Sequence, residues 1–304
     1  MYRGIPDKPF FVKYVPSQRI VIAHQLDKRG SQQFRGLPDH TEITYSDDFF
    51  KTTTTILKQS NQFLISKNHF LAIQTNNQKI QLFTGPSDVQ TYTLQPVILP
   101  LEGVTEGKVL EYSSSILDAT SEQVYLQIHP EGDHAKYGDI YTSDASGRLY
   151  SLSLENNVRS QNGQSDFQKV EGLEGIVLAN VYDSQIINSI QVGATIRGLD
   201  EYKKTMITFN KGSVWQPLKA PIFNAKGGLI RCESQDSCHL HLHSFSSVKQ
   251  QPPQSTSNAL GILLGVGNVG KYLSNQESEI NTYLSRDAGR TWFEVRRLAI
   301  SLYD

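Results

Sequence analysis

Methionine, tryptophan and cysteine each occur only twice in these 304 residues. No stretch is apolar for long. The longest such run, Ala259 to Val266 (ALGILLGV), falls far short of the roughly 20 residues a bilayer crossing needs. The N-terminal MYRGIPDKPFFVKYVP has no apolar core of signal-peptide length, and Pro6, Pro9 and Pro16 would interrupt one. As written, the chain is expected to be soluble and without an address label. No excess of either charge exists: 29 basic residues meet 30 acidic ones, which disfavours nucleic acid and anionic membrane surfaces as partners. Asn-x-Ser/Thr sequons are absent, a weak argument against secretion. The two cysteines, Cys232 and Cys238, leave a choice open: a small disulfide in an oxidising compartment, or two thiols in a reducing one.

What is plentiful points to strands. Tyr and Phe number 14 and 13, and Ser, Thr, Asn, Gln and Gly are common, a palette suited to pleated, half-buried surfaces and tight turns. Period-two runs bounded by turn formers recur along the whole chain, among them RIVIAH, NHFLAIQT, KIQLFT, EQVYLQIH, GDIYTS, RLYSLSL, KTMITF, CHLHLHSF and NTYLS. No stretch shows helical periodicity over three turns. Ser247 to Asn258 (SVKQQPPQSTSN) reads as a long surface loop.

One short pattern repeats. Near the C-terminal end stands Ser285-x-Asp287-x-Gly289-x-Thr291-Trp292, with apolar residues on each side. Thr208-x-Asn210-x-Gly212-x-Val214-Trp215 keeps the spacing with conservative swaps, while Ser46-x-Asp48-x-Phe50-x-Thr52 and Thr142-x-Asp144-x-Ser146 are more degraded. With a further worn copy near Leu82 to Leu94, the repeat runs at roughly 50 to 75 residues, somewhat longer than familiar blade repeats of ~40 to 50. Repeats of that size, each of three or four strands, imply radially arranged sheets. The chemistry of the pattern is that of a hairpin turn. Ser285 and Asp287 end one strand and fold their oxygens onto backbone N–H groups of the turn. Gly289 supplies a left-handed backbone position. Thr291 and Trp292 open the returning strand, the indole wedging between sheets. The carboxylate is thereby committed to scaffold.

The pattern resembles the Asp-box of sialidases and of the sortilin family of sorting receptors, and other segments favour the second. Lys169 to Val181, Met206 to Pro221, Cys238 to Phe245, Gly261 to Leu273 and the trailing TYLSRDAGRTWFEV follow the order of the sortilin luminal domain, most strongly from about residue 110 to 297. The resemblance implies an all-β fold, a partial β-propeller of about five blades out of ten, occupying 1–304 as a single domain. It implies a Cys232–Cys238 disulfide. It also implies a function: binding cargo polypeptides such as vacuolar hydrolase precursors, on the lumenal side of Golgi and endosomes, with no bond made or broken. The family's signal peptide, cysteine-rich module, membrane span and tail are not expected in this chain, so another chain completing the propeller is a conceivable partner. A degenerate remnant that binds no cargo is the alternative. The sequence assigns no cargo-binding residue; the strand around Lys79 falls where a cationic contact would be expected.

Three other constellations lose to plainer readings. Gly265 to Lys271 (GVGNVGK) matches nucleotide-binding glycine spacings, but Tyr272 stands where a magnesium-holding Ser or Thr is needed and no crossover helix follows. His239, His241 and His243 alternate with leucines on one strand face and could meet a metal, yet no partner carboxylate is identifiable. A sialidase needs an arginine cluster and a tyrosine nucleophile paired with a glutamate; Arg3 to Pro6 resembles the opening arginine segment of such enzymes only faintly. No catalytic residue, cofactor or metal is therefore expected.

Overall fold

The structure is a computed structural model that describes residues 10–11, 19–25, 41–66, 68–76, 79–87, 93–100, 108–110, 113–120, 122–129, 136–160, 164–191, 198–232, 234, 238–247 and 249–295. Within these, strands come in successive antiparallel groups. The first is β1 (Phe10–Phe11), β2 (Ile20–Gln25), β3 (Thr41–Ser46) and β4 (Thr54–Lys58), a four-stranded sheet in sequence order. The second is β5 (Ser60–Ile65), β6 (His69–Asn76), β7 (Lys79–Pro86) and β8 (Gln95–Pro96), with β9 (Lys108–Leu110) also pairing β7. The third is β10 (Ser113–Ala119), β11 (Val124–His129), β12 (Tyr137–Ser143) and β13 (Tyr150–Val158). The fourth is β14 (Phe167–Lys169), β15 (Val177–Tyr182), β16 (Lys203–Thr208) and β17 (Gln216–Lys219). The fifth is β18 (His239–Leu242), β19 (Gln254–Ser255), β20 (Leu263–Gly270), β21 (Asn281–Ser285) and β22 (Phe293–Val295); the last three groups are continuous, since β13 pairs β15 and β17 pairs β18. The fold class is all-β. The one described α-helix, α1 (Ser184–Gln191), is little more than two turns long, and no described helix is long and apolar enough to cross a membrane.

These strands fall into two compact units, Met1–Gly132 with Tyr141–Leu152, and Asp133–Ile140 with Ser153–Asp304. In the first unit β6 carries two cores at once. Phe70 and Ala72 join Val21 and Ile43 on one face, while Leu71 and Ile73 join Leu82, Val124, Leu126 and Tyr141 on the other. That is why the run HFLAI is apolar without a break: a strand covered on both faces needs no polar alternation. In the second unit β15 is buried at every position. Leu178 and Ile207, directly paired across β15 and β16, form one core with Leu240, Leu242, Leu263, Tyr283 and Trp292. Half-buried strands, the expectation from composition, thus hold for outer strands but not for β6, β11 or β15.

The glycines of β20 have a packing reason. A side chain at Gly267 would place its Cβ on the His241 carbonyl, and one at Gly265 would meet the Leu242 side chain. The GVGNVGK run is a strand pressed against β18, with Leu242↔Gly267 and His239↔Gly270 in register. The segment Ser247 to Asn258 is not wholly loop, since Gln254 and Ser255 pair with Leu264 and Leu263.

Candidate functional site

Each copy of the repeated pattern lies between the last two strands of its group: β3 and β4, β12 and β13, β16 and β17, β21 and β22. In the complete copy the Ser285 hydroxyl accepts the Gly289 N–H at 2.8 Å and donates to Asp287 Oδ1 at 2.9 Å. Asp287 Oδ1 accepts the Thr291 N–H at 2.8 Å, and Oδ2 accepts the Thr291 hydroxyl at 2.6 Å. Ala288 and Gly289 both adopt left-handed backbone, φ 61° and 91°, the pair of positive dihedrals that a type I′ hairpin turn requires. Trp292 is buried in the core above and donates its indole N–H to the Gly289 carbonyl at 3.1 Å.

The same turn is built at Thr208, where Lys211 and Gly212 are left-handed (φ 60° and 85°) and the hydroxyl accepts the Gly212 N–H at 3.0 Å. Asn210 Oδ1 accepts the Val214 N–H at 2.9 Å. Here the indole of Trp215 is only half-buried and donates to Ser153 Oγ, which in turn donates to the Gly212 carbonyl. It is built again at Ser46, with Phe49 and Phe50 left-handed despite their side chains. Asp48 holds Thr52 through both its N–H and its hydroxyl, at 2.9 and 2.7 Å. The backbone N–H of Thr52, then its hydroxyl, keep the Asp48 carboxyl down at about 2. The copy at Thr142 departs. Its one left-handed residue is Gly147 (φ 71°), a position later than the pattern places it, and Asp144 accepts from Ser146 Oγ and from the N–H groups of Arg148 and Leu149. With no glycine at 146, the turn closes by another route. The segment near Leu82 to Leu94 lies partly outside the described residues.

Opposite strand ends carry a different chemistry, one without a local signature along the chain. Asp183 follows β15, caps α1 through the Gln185 N–H at 2.9 Å, and receives Lys204 Nζ at 2.6 Å and the Tyr272 hydroxyl at 3.2 Å. Burial works to raise its pKa, but Lys204 and the capping N–H outweigh it and the net direction is down. Lys204 and Lys271 stand 5.4 and 5.2 Å from the Tyr272 ring centre, a cation–π arrangement. Asp183, Lys204 and Lys271, with His239, Pro217 and Ser234, line a cleft of about 570 Å³. Elsewhere in the same unit Asp166 is fully buried and accepts the Ser246 N–H and hydroxyl, both at 2.6 Å, and Asn180 Nδ2 at 3.0 Å. Partners 14 and 80 positions away in the chain leave no local pattern to read.

The three histidines do not act as a set. His241 is buried, its Nδ1 accepting the Thr205 N–H at 3.0 Å and its Nε2 3.1 Å from the Gly270 carbonyl, which fixes a neutral tautomer. His243 turns to Ser247, 2.8 Å from Nδ1. Burial holds both rings down at about 4. Among the described residues no group of three His, Cys, Asp or Glu side chains could hold a metal ion. Cys232 and Cys238 form a disulfide, Cα atoms 5.3 Å apart, just ahead of β18. Lys79 opens β7, paired with Asn76 and Leu110, and its side chain lies outside the described residues.

The Sortilin-Vps10 family, described as "Sortilin, neurotensin receptor 3", matches residues 10–301. A vacuolar protein sorting/targeting protein 10 of Paracoccidioides lutzii is 35% identical over 291 residues, 92% of this chain and 18% of that protein. One from Ajellomyces capsulatus is 34% identical over 290 residues, 92% of this chain and 19% of its own length. The chain thus spans about a fifth or less of the length of these relatives. Among solved structures, a Trypanosoma rangeli sialidase aligns at TM-score 0.35 and 12% identity, covering 96% of this chain and 48% of that one, too distant to carry an argument.

Proposed function

We propose, from the premise that this chain belongs to the sortilin–Vps10 family, that it is a cargo-binding β-propeller segment of a vacuolar sorting receptor. Residues 1–304 would then be part of one luminal propeller domain that recognises soluble hydrolase precursors in the Golgi and endosome lumen and performs no chemistry on them. The observation that carries this reading is the family match over 10–301. What supports its non-catalytic part is the occupation of the repeated acids: Asp48, Asp144 and Asp287 spend their oxygens on their own turns, and a carboxylate so engaged is a poor general acid or base. The mixed-charge cleft around Asp183, Lys204 and Lys271 suits a polypeptide, whose recognition combines main-chain pairing with a few charged contacts. The test is capture: the folded, immobilised chain should retain vacuolar hydrolase precursors from a secretory lysate, and Lys204→Glu with Lys271→Glu should weaken retention. A folded chain that retains no such precursor overturns the reading.

A further inference from the structure

The second unit holds another cavity, of about 580 Å³, that neither the turns nor the Asp183 cleft accounts for. It lies where β15 ends and β16 begins. Lys136, Arg159, Lys203 and Lys249 line it against Asp200 and Glu277, with Asp166 one layer down behind Ser246. Four cations therefore face three carboxylates. Lys203 is only 7% exposed. Its ammonium meets Asp200 Oδ1 at 3.0 Å and Ser246 Oγ at 3.1 Å and stands 5.8 Å from the Tyr182 ring centre. The Lys249–Glu277 pair is 3.6 Å long and both groups are open to water, so it neutralises the rim weakly.

His243 lines the same cavity and is 1% exposed. Ser247 occupies its Nδ1. Its Nε2 looks towards the Ser274 backbone but lacks hydrogen-bond geometry with it or with any other group. A buried ring nitrogen left so is an unfavourable arrangement that a ligand atom would relieve. In the tautomer with the proton on Nε2, the Ser247 hydroxyl donates to Nδ1 and Nε2 is the donor that faces the cavity. Beside these polar groups stand Tyr182, Phe245 and Leu273. A half-open cleft of this size, in which apolar side chains stand among a few donors, can hold a small molecule.

We infer that this cavity binds a small free organic acid, its carboxylate held between Lys203 and His243 Nε2 and its hydrocarbon part against Tyr182, Phe245 and Leu273. The site needs no receptor function: such an acid would bind even if the chain captured no precursor. The experiment uses the whole chain and phenylacetate, with phenylacetamide as its uncharged counterpart, following the His243 Cε1–H resonance assigned through His243→Gln. Phenylacetate should move that resonance saturably, and phenylacetamide should bind about ten-fold more weakly or worse, the loss of one favourable charge contact. Reversing the exposed rim charges with Lys136→Glu and Lys249→Glu should weaken phenylacetate several-fold while leaving the melting temperature in place. An unmoved His243 resonance, equal binding of acid and amide, or affinity indifferent to the rim reversal each overturns the assignment.

Discussion

The turn at Ser46 and the turn at Ser285 have nearly superimposable hydrogen bonds but different supports. At Ser285 the two left-handed positions are Ala288 and Gly289, and a tryptophan closes the turn from the core. At Ser46 they are Phe49 and Phe50, the first 68% exposed, and Thr53 stands in the tryptophan's place. The hydroxyl and carboxylate therefore suffice to fold the turn against an unfavourable backbone. What glycine and tryptophan add is relief of strain and attachment to a core.

The largest test of that separation is Trp292→Ala. It removes a buried indole from the core shared by β15 to β21 and should cost about 3 to 5 kcal/mol, read by thermal or urea unfolding. Thr53→Ala, at the equivalent position, should change stability little. Equal losses would abolish the distinction.

Acid should separate the two regions next. His241 and His243 sit at about 4 in the fold against 6.5 in a free chain. A depressed histidine contributes stability that is complete above pH 6.5 and is lost as pH falls towards 4, up to roughly 3 kcal/mol for each ring. The Ser46 turn has a lower window, since the Asp48 carboxyl ionises at about 2 against 3.8 in a free chain, so its contribution is complete above about pH 4 and is lost as pH falls from there through 2. Hydrogen exchange, corrected for the intrinsic rate at each pH, should show lower protection at the amides of Leu240 and Leu242 at pH 4.5 than at pH 7, with the protection of the Thr52 amide unchanged. Acid loss confined to the Ser46 turn would contradict this.

Two smaller substitutions approach the backbone directly. Gly289→Ala forces a side chain onto φ 91° with its Cβ 2.6 Å from Ile207 Cδ1, and should cost about 1 to 3 kcal/mol. Phe50→Gly releases a strained residue at φ 63° and should raise the melting temperature, by about 1 kcal/mol of stability or less. If Phe50→Gly destabilises, Phe50 is packing rather than straining, and the two turns differ in kind.

Much of this was legible along the chain. The runs RIVIAH, KIQLFT, KTMITF and NTYLS are strands because alternation and β-branched or aromatic content are local properties, and the turns at Ser46, Thr208 and Ser285 fold alike because donor and acceptor are two and four residues apart. The copy at Thr142 misled because its spacing persisted after the residue able to occupy the left-handed position had moved to Gly147. The Asp183 cleft, the buried Asp166 and the cavity around Lys203 were not legible at all.

What the sequence determined by itself was the all-β class, the repeat and the chemistry inside each turn, since every interaction there spans a few residues and follows from the side chains present. The tertiary structure alone decided that β6 and β15 are covered on both faces, that Gly267 is needed by its neighbour's carbonyl, and that lysines, carboxylates and His243 meet around one cavity. Those outcomes depend on which distant strands lie side by side, and contacts that join residues 80 positions apart leave no periodic trace in a chain read one residue at a time.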